Sequence, residues 1–242
     1  MKKVLSLVLV LVVTTASFAQ KHSKDLRIGF KIEPNISWFH PVENGVKTDG
    51  SKVGINYGLM LDYEFADNYI FSTGLQVSHV GGKLSYTNSA GINWSGTKVG
   101  YVAADKDSSK NTANFNIGIQ YVEIPFTIKL KSSNKGKMDY WANFGGFLAV
   151  PVKARADVST NFSVGGVANY SKENDNVISQ IQPVTIGMQI GGGVEIPISD
   201  KNVLVAGLVF NNGFIDVTKN GNWGGDGRVN LNSMALKLGI FF

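Results

Sequence analysis

Few groups in this 242-residue chain could do covalent chemistry, and none of them stands in a pattern that chemistry requires. With no cysteine, thiolate metal sites, cysteine nucleophiles and disulfide frameworks are excluded. No Gly-x-Ser-x-Gly run is present, so the exposed serine of the nucleophile elbow is missing. The three histidines, His22, His40 and His79, have no companion carboxylate or serine motif, and read as interfacial or terminal residues rather than general bases. Asp105-Lys106-Asp107 lacks the glycine and the distal glutamate of a calcium loop. Gly191-Gly192-Gly193 sits inside a strand pattern and opens no helix, so it cannot cradle a phosphate as a nucleotide loop does. The expectation is a non-enzymatic protein with no catalytic residue, cofactor or metal.

A second set of polar residues has a different meaning. Arg27, Lys31, Lys129 and Lys237 fall on the same strand faces as Glu33, Asp62, Glu64, Glu123 and Glu195, with glycine, serine, asparagine and glutamine between them. Such a face suits the lumen of a narrow barrel, where an unpaired ion costs several kcal/mol and opposite charges must interlock. Two uses follow: a structural plug that closes the barrel, or a narrow charge-lined path for small solutes. Glu123→Ala separates them, since a plug residue lowers stability and a channel residue changes ion selectivity.

The elements that would hold these charges read with period two. Outward apolar positions alternate with small or polar ones over 26–38, 53–65, 69–79, 122–130, 140–152, 184–196 and 232–242, and 203–214 is a strand of undefined phase. The last of these alternates Met234, Leu236, Leu238, Ile240 and Phe242 with Ala235, Lys237, Gly239 and Phe241. Eight strands of this length match the roughly 9–11 residues that cross a bilayer when tilted. Where the phase is clear, the apolar face carries no Lys, Arg, Asp or Glu. Phe115, Ile117, Ile119 and Tyr121 are apolar on the opposite parity, so a bulge is expected near Tyr121–Val122. Pro34 and Pro125 cannot donate to a ladder, and are expected at bulges or strand ends.

The fold class expected is therefore all-β: an eight-stranded antiparallel up-and-down transmembrane barrel. A soluble ligand-binding barrel would carry Lys and Glu on its outer face, and a sandwich would leave edges and use shorter strands. Connections alternate long (39–52, 80–113, 153–183, 215–231) and short (66–68, 131–139, 197–202), as in membrane barrels with short periplasmic turns and long outer loops. Tyr86, Trp94 and Tyr101 in the second long loop, and Phe162 and Tyr170 in the third, are candidate recognition residues for an extracellular protein or glycan.

The N-terminus names the compartment. Met1-Lys2-Lys3, the apolar run Val4–Val13 and Ser17-Phe18-Ala19 form the three-part pattern of a secretory signal, too short to span a membrane. Residues 1–19 are expected to be removed, leaving 20–242 as one barrel domain in a Gram-negative outer membrane with both termini periplasmic. Loss of Lys2 and Lys3 lowers the formal net charge from +5 to +3, too weak for a nucleic-acid partner. Outer-membrane lipid and lipopolysaccharide are the expected surroundings.

Tyr121-Val122-Glu123-Ile124-Pro125-Phe126-Thr127-Ile128-Lys129-Leu130 resembles the tyrosine, Glu-Ile-Pro, lysine strand of the PorT-like outer-membrane β-barrel family, within the wider OmpA/OmpX-type set of eight-stranded barrels. Phe71-Ser72-Thr73-Gly74-Leu75-Gln76 with Gly81-Gly82 is similar to its third strand, and Gly191-Gly192-Gly193-Val194-Glu195 to its sixth. The resemblance covers essentially the whole mature chain. It implies a terminal strand read by the barrel-assembly machinery, with Leu238, Ile240 and Phe242 as the assembly signal. The family's namesake is associated with protein export across the outer membrane, and no residue here marks that role.

Overall fold

Alternation with period two becomes antiparallel strands that close on themselves. In the computed structural model, residues 26–42, 46–87, 112–132, 138–161, 171–199, 201–219 and 228–242 are described. The strands are β1 (Leu26–Pro41), β2 (Val46–Ala66), β3 (Tyr69–Thr87), β4 (Thr112–Lys131), β5 (Asp139–Asn161), β6 (Ser171–Asn176), β7 (Thr185–Pro197), β8 (Val203–Gly213) and β9 (Val229–Phe241). Each neighbour in the order β1-β2-β3-β4-β5-β7-β8-β9 pairs antiparallel, and β9 returns to β1, making a ring of eight strands. The short β6 stands outside the ring and pairs with β5 above the level where β7 ends. Ring closure gives each of the eight ring strands a partner on both sides, which is the condition for a sheet in lipid. The β2–β3 turn is Asp67–Asn68, with Asn68 at φ 69°, a left-handed conformation that asparagine tolerates.

Outward residues form an apolar girdle. Phe30 and Phe144 keep 57% and 60% of their surface exposed, and Ile32, Leu59, Ile128, Ile190 and Leu208 are likewise exposed. Large hydrophobes so displayed are stable only against lipid. Aromatic pairs mark the rim near the short turns, where Phe65 meets Tyr69 at 6.3 Å and Phe30 meets Phe242 at 5.7 Å.

Several strands are longer than the sequence pattern indicates. β2 begins at Val46, β3 runs to Thr87, β4 starts at Thr112 and β5 runs to Asn161, so much of the expected loops 39–52, 80–113 and 153–183 is wall. β5 has 23 residues, about twice what a crossing needs. Beyond the girdle the wall inverts. In β4, Phe115, Ile117, Ile119 and Tyr121 point inward, while Asn114, Asn116 and Gln120 point outward. A sheet in lipid is apolar outside, and one in water is apolar inside.

That inversion corrects the expected bulge near Tyr121–Val122. β4 pairs with β3 in one register from Tyr86↔Ala113 to Tyr69↔Leu130, so its apolar parity changes because its solvent changes. The bulge lies in β5 instead: Gln120 opposes Lys153 and Tyr121 opposes Pro151, leaving Val152 extra. It turns Ala154, Ala156 and Val158 inward and Lys153 and Arg155 outward. The prolines are corrected too. Pro34 and Pro125 lie within strands whose registers continue past them, and the β1–β9 and β3–β4 ladders merely skip a step there.

A lysine placed along the outward face of β4 reads this boundary. Phe126→Lys is expected to destabilise the barrel by about 2–4 kcal/mol. Asn116→Lys is expected to stay within about 0.5 kcal/mol. Urea unfolding in lipid vesicles measures both, and equal losses would place Asn116 in lipid.

Candidate functional site in the barrel interior

Inward side chains are stacked in three zones. Nearest the short turns, Arg27 on β1 donates to Asp62 on β2 at 3.0 Å and to Glu195 on β7 at 2.9 Å. Lys129 on β4 reaches the same two carboxylates, at 2.8 Å for Asp62 and in closer contact with Glu195. Lys131 bridges Asp139 at 2.9 Å and Glu195 at 3.2 Å, so three bases face three acids. Ser72 donates a further hydrogen bond to Asp62. Two rings complete the zone: Phe241 lies under Arg27 and Lys129 at 4.7 and 5.2 Å, and Trp141 under Lys129 and Lys237 at 5.6 and 5.3 Å. Gly207 makes room for that indole, since a Cβ there would stand 2.4 Å from it.

The middle zone is polar but less charged. Lys31 pairs with Glu33 at 2.8 Å. Glu123 has no ion-pair partner among the described residues; it accepts from Gln76 Nε2 at 2.6 Å and Ser78 Oγ at 3.1 Å. Asn35 donates to Asn56 at 2.8 Å. All seven side chains are buried.

The zone toward the long connections is a hydrophobic core. Phe39, Leu84, Tyr86, Phe115, Ile117 and Ile119 fill the bore together with small residues of β5. Chain from beyond the wall folds onto it. Val177 and Ile181 flank the 3-10 turn Ile178–Gln180, and Val217 follows β8; all three are buried in this cluster. Their backbones are tied down, Val177 N–H to Ala154 O at 3.2 Å, Gln182 N–H to Val217 O at 2.9 Å and Lys219 N–H to Gln180 O at 2.9 Å.

Of the charges read from sequence, Arg27, Asp62, Lys129 and Glu195 meet in one cluster, Lys31 and Glu33 in another, and Lys237 rests on Trp141. Glu64 is exposed and outside both clusters. Lys131, Asp139, Trp141 and Phe241 were not singled out, although their odd positions place them on the lumen parity. Tyr86 is not an exposed loop residue: it is buried in β3, its ring edge-on to Phe115 at 5.4 Å. Trp94, Tyr101, Phe162 and Tyr170 lie outside the described residues, as do residues 1–19, His22 and Asp105-Lys106-Asp107. His40 is exposed at the end of β1, and His79 faces outward against Tyr57 at the girdle's rim. Leu238 on β9 and Phe242 just after it are exposed on the lipid side. Among the described residues no group of three His, Asp or Glu is placed to hold a metal ion.

A closed eight-stranded ring with an apolar girdle and a polar bore defines an integral outer-membrane barrel. The chain belongs to the outer membrane protein beta-barrel domain family, whose model matches residues 18–219. No curated protein matches the sequence significantly. Among solved structures it is similar to a major outer membrane protein from Thermus thermophilus, at 12% identity and TM-score 0.40, covering 88% of this chain and 99% of that one. It is also similar to Neisserial surface protein A, at 11% identity and TM-score 0.39, covering 88% and 97%. OprG of Pseudomonas aeruginosa gives 10% identity and TM-score 0.37, covering 90% and 94%. The assignment rests on the family match and the barrel's own geometry.

Proposed function

We propose that this protein is a closed, non-enzymatic barrel of the PorT-like kind, which serves the envelope as a structural or partner-binding element and passes no solute. The single observation that carries the reading is the bore: an apolar core fills one end, with the segments 177–182 and 216–219 folded onto it, and paired charges fill the other. Water and ions need a continuous polar path, and a dry apolar stretch denies them one. In this reading the long connections face the cell exterior, the short turns and both termini face the periplasm, and residues 1–19 are removed on export. Trp94, Tyr101, Phe162 and Tyr170 are the aromatics offered to an outside protein or glycan. Leu238, Ile240 and Phe242 are offered to the assembly machinery.

Single-channel recording of the refolded protein in a planar bilayer tests closure. Silence is expected from protein whose unboiled form migrates as a folded barrel. Steady discrete openings, shifted in selectivity by Lys129→Glu or Glu123→Lys, would overturn the reading in favour of a narrow pore.

A further inference from the structure

Where the outer surface changes from apolar to polar, Lys52 on β2 and Lys153 and Arg155 on β5 bring three cations to one place across four adjacent strands. Lys52 on β2, His79 on β3, Gln120 on β4, and Lys153 and Arg155 on β5 line an outward groove of about 210 Å³. Register explains it. His79, Gln120 and Lys153 are successive partners across the wall, and one step higher Gly81, Gly118 and Arg155 are too. The two glycines leave a trough without side chains, and Lys52 lies across it, its Nζ 2.9 Å from where a Cβ on Gly118 would stand.

These cations are aimed and unspent. The β5 bulge at Val152 turns Lys153 and Arg155 outward; without it they would face the apolar core. Arg155 uses one N–H on Asn174 O at 3.0 Å, a contact that holds its stem against β6. Among the described residues no carboxylate pairs with Lys52, Lys153 or Arg155. The nearby acids are Asp157, engaged with Asn116 and the Asn174 N–H, Asp175 on β6, paired with Lys172, and Asp49 and Glu173 higher on the wall. On the opposite wall the outward positions Trp38, His40, Asn212 and Phe214 carry no lysine or arginine, and the one cation beside them, Arg228, donates to Phe214 O at 2.8 Å.

Depth identifies the occupant. Directly below the groove the same face carries Val53, Val77, Val122 and Val150, the upper edge of the girdle, and Val53 is 80% exposed at the groove's own lip. A ligand that satisfies both is amphipathic, with an anionic head among the cations and chains along the valines. We infer that this groove binds the phosphorylated headgroup of an outer-leaflet lipid. The inference rests on the membrane placement and outward orientation proposed above.

The test uses the full protein in detergent micelles, titrated with bis-phosphorylated lipid A and with its dephosphorylated form, and read by native mass spectrometry. The wild type is expected to retain the phosphorylated lipid selectively. Lys52→Gln, Lys153→Gln and Arg155→Gln together are expected to weaken retention about a hundredfold, the product of three interfacial cations. Equal retention of the dephosphorylated lipid, or unchanged retention by the triple variant, would overturn the assignment. Displacement of the lipid by equimolar inorganic phosphate would also overturn it, marking a soluble-anion site. Unboiled gel migration reports separately whether each sample is a folded barrel, so failure of the membrane reading shows as a lost shift.

Discussion

Glu195→Ala is expected to destabilise the folded barrel by about 3–5 kcal/mol, the usual consequence of removing one partner from a buried ion cluster. Glu195 is fully buried and is the only acid that accepts from Arg27, Lys129 and Lys131 together among the described residues. Its loss leaves those three cations facing Asp62 and Asp139 alone, and Lys129, whose side chain is only 4% exposed, has no bulk water at hand to restore the lost solvation. Glu64→Ala, on an exposed carboxylate with no ion pair among the described residues, is expected to stay within about 0.5 kcal/mol. Urea titrations in lipid vesicles, followed by the mobility of unboiled samples, measure both. Adding Lys129→Ala to Glu195→Ala should cost less than the two separately, because the cation removed is one already stranded. A loss below about 1 kcal/mol for Glu195→Ala would equate the cluster with an exposed, hydrated pair and remove the argument for a rigid plug.

This cluster was legible in the sequence because lumen parity is a local property. Position 27, 62, 129 or 195 could be assigned inward from its immediate neighbours, and ring closure then brought four strands together. Glu64 shares that parity but lies at the end of β2, one residue past its last partner on β1 and paired only with β3, so periodicity could not separate it from Asp62. The aromatic rings under the cations were hidden for a different reason. Trp141 and Phe241 stand on the lumen parity as large apolar residues, and only the gap at Gly207 and the packed cations give them a place there.

The loop end was misread because one assumption, a constant solvent outside the wall, failed halfway along the strands. β4 and β5 face the same change and answer it differently. β4 keeps its register and lets its apolar residues cross from even to odd positions. β5 keeps its apolar residues at even positions and inserts Val152 to turn them from outside to inside. From sequence alone the first looks like a bulge, and the second like a strand that ends at 152 before a long loop. Each inference follows if lipid lies outside throughout, and each reverses once water replaces it. The recognition role read for Tyr86 fell with the same assumption, since an aromatic in a polar stretch is a buried anchor when that stretch is an inverted wall.

Phe115→Ala tests the inverted wall directly. Phe115 is 1% exposed, lies edge-on to Tyr86, and stands in the cluster onto which the segments around Ile181 and Val217 fold. Truncating a buried phenylalanine costs about 3–5 kcal/mol through lost transfer energy and the cavity left behind. That is the expected loss here, with Asn116→Ala, its outward neighbour, within about 0.5 kcal/mol. Hydrogen exchange should localise the damage. Amides of 112–121 in β4 and 154–158 in β5 are expected to lose protection, while those of 124–130 beside the girdle keep theirs, because lipid and ring closure hold the lower wall independently of the core above it. Were 112–121 a surface loop, Phe115→Ala would cost no more than Asn116→Ala and no amide there would be protected to begin with. A large loss that spread equally to 124–130 would instead make the two solvents' halves one cooperative unit, and the apolar core a foundation of the transmembrane ring.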